Sequence, residues 1–478
     1  MPSDASLQLC DKLVAARQHL RKLYQPCFGE AMEHGSVINP ANVPDLPELP
    51  DLVVAGAGPA GLAAGLAAAA LGLKAVVIGP RADPADGRTA ALFQSSVQLL
   101  KAIGAWQYLE ARAERLDAIR LVDATGGFLR APEVTFRATE IGLDTFGYNV
   151  ANAALTQALE QAAAGRLRRV VSEGVASAVP ADGRIVLTTA EGATFSAPLI
   201  AGADGRNSLI RKSAEIATQA WTYEQAAVVC LFQHSRPHRG VSTELHRRAG
   251  PLTVVPMPSS ASGNASSLVW VETPMEAQRL AALDDAAFLI ELGSHVSGLF
   301  GTLSQLSPRK TFPLSGQTAT VLAKNRCALI GEAGHVMPPI GAQGLNLSFR
   351  DAAILAELAV DAKARGEDIG SAEVCAAYER QRRADVASRS WTIDLMNRSL
   401  LSEYTPIHLA RGLGLAALKA IPPLRRVLMR EGVTPSFATP RLMQREGGAG
   451  ALDGDSAQAA SPGTPIPPQT PPESAPHA

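Results

Sequence analysis

The chain has 478 residues, of which 46% are hydrophobic, 19% charged and 5% aromatic, with a formal net charge of -1. That length suits two or three domains, and the near-neutral balance leaves no electrostatic case for nucleic acid. Five scattered cysteines (Cys10, Cys27, Cys230, Cys327, Cys375) form no Cys-x-x-Cys pair. This argues against a disulfide framework, a metal site or a dithiol redox centre, and fits a reducing compartment.

Residues 1–24 read as an amphipathic helix, with Leu7, Leu9, Leu13, Leu20 and Leu23 set against Lys12, Arg17, Arg21 and Lys22. A proline-rich linker follows over 35–50, so a loosely docked appendage and a partner arm are both open roles for this extension. It lacks the charged-then-apolar order of a secretory signal, and no run in the chain is long and apolar enough to span a bilayer. The apolar run 51–55 predicts a first strand, followed by Gly56-Ala57-Gly58-Pro59-Ala60-Gly61 and an alanine-rich helix. In that strand-turn-helix context the glycines allow a tight turn, close approach of a pyrophosphate and close helix packing. A second strand over 75–78 completes the unit. The acid that usually grips an adenosine ribose would fall near Gly79, which leaves backbone, Asp83 or Asp86 for that task. Gly87-Arg88-Thr89 then opens a segment leading into a helix through 104–106. Arg88 could reach phosphate oxygens as a charge-assisted donor or be a solvated surface arginine.

Residues 117–145 alternate like strands around Gly126-Gly127, and 146–150 opens a helix over 153–164. Strands over 168–175 and 184–190 precede the apolar run 198–201, which ends in Gly202-Ala203-Asp204-Gly205. Residues 219–317 read as a mostly β insertion with helices near 276–298. A strand over 327–330 ends in Gly331-Glu332, followed by a Pro338-Pro339 turn and a helix from about Leu345 whose start aims free N–H groups into that turn. The strands at 52–55, 198–201 and 327–330 all end in small residues, the last two followed by Asp204 and Glu332. If they lie parallel in one sheet, their ends converge on one crevice. His335 in this turn reads as structural rather than as a base, and His246 and Tyr223 in the insertion are the other candidates for a proton-transfer role. A helix over 371–398 and a basic, apolar stretch 404–432 follow. That stretch suits either an anionic lipid surface or partner, or a helical pair packed on the preceding domain. From 447 the chain is rich in Gly, Ala, Ser and Pro, without periodicity.

These residues resemble the flavoprotein aromatic hydroxylases, the class A FAD-dependent monooxygenases, and within them the ubiquinone-biosynthesis hydroxylase family. The likeness spans about 51–436. It is carried by GAGPAG at 56–61, GRTAAL at 87–92, GADGRNS at 202–208 and the stretch 331–351. For the subgroup it is carried by WTYEQ at 221–225, GPLTVVP at 250–256, SLVW at 267–270 and WTIDLMNR at 391–398. The resemblance implies an α/β fold, with a Rossmann-like FAD-binding domain in three parts (48–122, 146–218, 318–398). A mainly β substrate domain (123–145, 219–317) is interleaved with it. A helical extension and linker (1–47) would precede these, and C-terminal helices (399–436) and a disordered tail (437–478) follow.

By the same resemblance Gly56, Ala57, Gly58, Pro59 and Gly61 would lie on the FAD pyrophosphate and Arg88 would contact FAD. Asp204 would sit near the pyrophosphate, Glu332 would bind the ribityl chain, and Pro339, Gln343, Gly344, Leu345 and Asn346 would form the turn over the isoalloxazine ring. Glu332 stands where Asp is usual, and Ala342 where many relatives have glycine. The implied chemistry is hydroxylation of a polyprenylated phenol or quinol through a flavin C4a-hydroperoxide, with NAD(P)H as electron donor. No side chain is singled out as catalytic, and no metal is implied. Other ubiquinone-biosynthesis proteins are expected partners, and the expected location is cytoplasmic, peripheral on the inner face of the membrane. A non-catalytic flavoprotein subunit of a quinone-biosynthesis complex and a class A hydroxylase of another phenol are the alternatives.

Overall fold

Short apolar runs far apart in the chain assemble into one central sheet. Its strands are β1 (Leu52–Ala55), β2 (Ala75–Gly79), β3 (Arg168–Val171), β4 (Leu199–Gly202) and β5 (Cys327–Leu329). The spatial order is Ala323–Lys324, β5, β4, β1, β2, β3, with every pair parallel except the antiparallel edge at Ala323–Lys324. β1, β2 and β4 are buried at every position, as parallel strands covered by helices are, so they read as continuous rather than alternating apolar runs. Two of the helices that matter below are α1 (Pro59–Ala70) and α2 (Gln343–Ala364). α1 has alanine at most of its positions and packs against α2.

This computed structural model describes residues 49–125, 132–260, 263–401, 417, 418, 420–433 and 439–444. The chain divides into two units, Met1–Leu49 and Pro50–Ala478, and all described residues but Leu49 fall in the second. The helix predicted over 1–24, the Gly126-Gly127 turn, the first half of 404–432 and the tail from 447 lie outside the described residues.

A larger sheet runs in the order Val134–Arg137, Ala118–Asp123, Val241–His246, Pro251–Ser260, Gly263–Glu272, Thr218–His234, Lys310–Ala319, His335–Val336. Helices Pro274–Ala282 and Asp285–Phe300 pack on it around buried Phe232, Trp270, Phe288 and Phe300, giving it a core of its own. Both start on side-chain caps: Thr273 accepts from Glu276 N, and Asp284 from Ala287 N at 2.8 Å.

Two expectations need correction. Residues 146–150 do not open a helix: Gly147–Ala151 is a strand between Thr89–Phe93 and Ala113–Leu116, and the helix starts at Asn152. Pairing on both sides satisfies this segment's backbone, which a sequence window cannot register. The helix after Phe93 stops at Ala102 instead of running to 106, because Gly104 takes a left-handed backbone at φ 75°.

Two distant motifs meet across the structure. α3 (Ala372–Leu401) brings Asp394 to accept from the Tyr223 hydroxyl at 2.7 Å, while Trp221 Nε1 donates to that same hydroxyl at 2.7 Å. Asn397 Nδ2 donates to Gln225 Oε1 at 2.8 Å. A further helix, α4 (Pro422–Val433), buries Met429 and Val433 against Phe93, Phe136 and Phe146, and Arg425 binds Glu140 at 2.6 Å.

Candidate active site

The three strand ends lie side by side. Ala203 N donates to Ala55 O at 2.7 Å and Ile330 N to Gly202 O at 2.8 Å, so Gly56, Asp204 and Glu332 all leave the sheet at its carboxyl edge. In open α/β sheets that edge is where ligands sit. The glycines of the first turn are required for different reasons. Gly56 has φ 110°, and a Cβ there would fall 2.1 Å from Ala203 O; one at Gly61 would fall 2.0 Å from Gly56 O. At Gly58 a Cβ would meet nothing within 4 Å, so no protein atom demands glycine there. Gly58 instead fronts open space at the start of α1, which has no side-chain cap. α1's first N–H groups lack partners within the helix, so that space faces free donors. At Gly79 a Cβ would fall 2.6 Å from Ala57 N, so the turn itself excludes the missing ribose acid. Asp83 accepts from Ala85 N at 2.8 Å, and Asp86 is engaged by Arg88.

Arg88 forms a forked pair with Asp86, at 2.9 Å from each carboxylate oxygen. Burial pushes the Asp86 carboxyl up, but its bonds to Arg88 outweigh this and hold it below the usual range. Asp204 Oδ2 accepts from Leu209 N at 2.7 Å and Ile210 N at 3.2 Å, capping the short helix Leu209–Ser213. Its Oδ1 is buried with no partner among the described residues, an acceptor left for something else to fill.

The 338–346 turn is held from behind. Asn346 is fully buried and makes four bonds: its Oδ1 accepts from Phe93 N and Ser96 Oγ, and its Nδ2 donates to Ala91 O and Ala342 O. The side chain is therefore committed to the protein, pinning the turn to the Thr89–Phe93 strand. Gln343 is committed too, accepting from Arg389 Nη1 at 2.6 Å. Ala342 adopts the left-handed conformation (φ 53°, ψ 33°) before α2, whose start has no side-chain cap. Gly344 is exposed, Pro339 is exposed and Leu345 packs against the main core.

His335 is 3% exposed and its Nε2 lies 2.7 Å from Asp351 Oδ2, in agreement with the structural reading. Asp351 also accepts from Gly331 N at 2.9 Å and from Arg382 Nε at 2.7 Å, and Arg382 continues to Asp385 at 2.7 Å. Asp385 in turn binds Arg350 at 2.8 Å and Arg389 at 2.6 Å. Burial pushes the Asp351 carboxyl up, but His335 and Arg382 more than reverse it; Asp385 is lowered likewise by its three arginines. This buried network fixes the path of the strand end and the turn. The other candidates for proton transfer are also occupied: His246 Nε2 is 2.7 Å from Glu244, and burial raises the Tyr223 phenol to about 12.

A cavity of about 480 Å³ opens beside these groups. One wall carries Arg88, Glu332 and Pro339, three of the residues singled out in the sequence. The other is the large sheet, with Val229, Leu268, Phe312 and Leu314. Cys230 also lines it, but burial pushes its thiol up to about 12, so it stays protonated and is a poor nucleophile. Sequence reasoning had not singled out Thr89, Arg206, Ser267 or Met337, which line the same cavity. Ser267 opens the SLVW motif, so its place in that run was the available signal. Among the described residues no cluster of His, Cys, Asp and Glu could hold a metal, and no helix is long and apolar enough to cross a membrane.

The FAD binding domain family matches residues 50–390 of the chain. The ubiquinone hydroxylase UbiL of Rhodospirillum rubrum is 34% identical over 392 residues, covering 80% of this chain and 89% of that protein. The 3-demethoxyubiquinol 3-hydroxylase of Escherichia coli (strain K12) is 29% identical over 390 residues, covering 80% and 97%. Among solved structures, p-nitrophenol 4-monooxygenase PnpA from Pseudomonas putida DLL-E4 superposes with a TM-score of 0.64 at 18% identity, covering 80% of this chain and 98% of that one. That last likeness bears on the fold.

Proposed function

The chain belongs to the FAD-dependent aromatic monooxygenases of ubiquinone biosynthesis, and from that premise we propose that it hydroxylates the ring of a polyprenylated phenol or quinol intermediate. The observation that carries this reading is the cavity itself, with Arg88, Glu332 and Pro339 on one side and an apolar sheet wall on the other. FAD, when bound, would supply the activated oxygen, and NAD(P)H the electrons.

In this reading the turn from Gly56 through Ala57, Gly58 and Pro59 to Gly61 holds the pyrophosphate. The open space at Gly58 and the unfilled acceptor of Asp204 favour that placement. Glu332 accepts from ribityl hydroxyls, and Arg88 faces the cofactor while held by Asp86. Pro339, Gly344 and Leu345 supply the turn over the ring, which Gln343 and Asn346 position from within the protein. The uncapped start of α2 favours negative charge on the ring. Val229, Leu268, Phe312 and Leu314 exclude water.

On α4, Leu424, Val427 and Leu428 are 48%, 60% and 52% exposed beside exposed Arg426. This apolar, basic face is the proposed peripheral contact with the membrane in which such substrates dissolve. Pelleting with anionic vesicles, lost in a Val427→Asp, Leu428→Asp variant, tests it.

The test of function is quinone profiling by mass spectrometry in a cell lacking the protein. A prenylated intermediate short of one ring hydroxyl should accumulate, and the wild-type chain but not Gly58→Val should clear it. An unchanged quinone pool refutes the substrate assignment. Bleaching of the bound flavin by NADH or NADPH tests the donor.

A further inference from the structure

Two serines interrupt the apolar sheet wall of the cavity; Ser315 accepts from Arg206 Nη1 at 2.7 Å, and Ser267 belongs to a larger polar group. Ser267, 3% exposed, accepts from the Thr89 hydroxyl at 3.0 Å and from Asn149 Nδ2 at 3.3 Å. Asn149 is 1% exposed, and its Nδ2 also donates to Pro256 O at 2.9 Å, which fixes which way the amide points, because a carbonyl can only accept. The amide's two protons are shared among Pro256 O, Met257 Sδ at 3.2 Å and Ser267, and with Thr89 donating to Ser267 the serine's own proton is uncommitted. Were the mutual bond reversed, the uncommitted proton would be that of Thr89, facing the same cavity. Thr89 and Ser267 carry two protons between them, their mutual bond uses one, and both residues line the cavity. A hydroxyl that already accepts a hydrogen bond is a better donor than an isolated one. On the same face of the sheet the wall offers Val229, Val269, Phe312 and Leu314, whose side chains cannot satisfy that proton.

We infer that Ser267 binds the oxygen substituent of the substrate ring, donating a hydrogen bond to it, with Thr89 and Asn149 as positioning residues that orient the serine. This rests on the proposed phenol or quinol substrate and specifies how its ring is held. A donor at the ring oxygen sets which ring carbon faces the cofactor side of the cavity. It also favours the ionised form of a phenol, whose ring is more electron-rich.

The test uses the full chain loaded with FAD and two probes, a phenol bearing one short prenyl chain and the same prenylbenzene without the hydroxyl. Binding is followed by calorimetry and by the change in visible absorbance of the bound flavin. The wild type should prefer the phenol by about 10-fold or more, the size expected for one well-placed hydrogen bond. Ser267→Ala should reduce that preference to less than about threefold, and Ser267→Thr should retain it. Ser267→Cys, nearly the same size but a weak donor, gives the same reading should the alanine variant fold poorly. Thr89→Val should lower the preference in part and Thr89→Ser restore it, a pattern that loss of packing alone would not produce. A wild-type preference that persists unchanged in Ser267→Ala and Ser267→Cys overturns this inference and leaves the hydroxylase reading standing. A wild-type protein that takes up FAD but binds neither probe refutes the substrate class, and this inference with it.

Discussion

Replacing Gly58 by alanine separates the demands of the fold from those of the cofactor. The backbone there is extended (φ -71°, ψ 177°), a conformation any residue adopts, and the added Cβ meets no protein atom within 4 Å. Stability of the cofactor-free chain should therefore change by less than about 1 kcal/mol, because alanine's restriction of the unfolded chain is offset by its poorer fit than glycine at the helix N-cap. Gly61→Ala is the control: its Cβ would lie 2.0 Å from Gly56 O, a backbone overlap that side-chain motion cannot relieve. Separating α1 from the turn should cost about 1–3 kcal/mol. FAD affinity should respond in the opposite order of cause. In Gly58→Ala the methyl group occupies the space proposed for the pyrophosphate, and a loss of about 2 kcal/mol or more, roughly 30-fold in Kd, is expected. Thermal unfolding of the cofactor-free variants and quenching of FAD fluorescence on titration read the two effects separately. Wild-type FAD affinity in Gly58→Ala would refute the placement of the pyrophosphate. A melting temperature lowered as far as that of Gly61→Ala would refute the claim that the space is open.

Ala342→Gly should raise the melting temperature without changing FAD content, since the left-handed backbone at φ 53° costs alanine about 1 kcal/mol; an unchanged or lower value would count against that strain. Arg382→Met should lower stability by about 3–5 kcal/mol in urea unfolding, because it leaves Asp351 and Asp385 buried without the arginine they share; a neutral result would mean the network contributes little. The pH dependence has a definite sign. Asp351 and Asp385 are both depressed in the folded chain, so their contribution is present above the unfolded carboxylate value of about 4 and is lost as the pH falls through their folded values. Melting temperatures should thus drop steeply below about pH 4, and a flat profile between about pH 5 and pH 3 would contradict the assignment.

What could be read along the chain was whatever depends on neighbours in sequence. The apolar runs at 52–55, 198–201 and 327–330, each closed by small residues, follow from burial on both faces and from the turn that must come next. Gly56-Ala57-Gly58-Pro59-Ala60-Gly61 and Pro338-Pro339 are legible because backbone angles are local. Tertiary structure alone decided which elements meet. It placed β5, β4 and β1 side by side, brought Asp394 to Tyr223 and Asn397 to Gln225, and turned 147–151 into a strand by pairing it on both edges. It also settled how side chains are spent, with Asn346 committed to four partners inside the protein and one proton of the Thr89–Ser267 hydroxyl pair left over after their mutual bond. A hydrogen bond has one short range and a limited number of donors and acceptors. Its partner can come from any distance along the chain, and only the assembled fold says which one arrives.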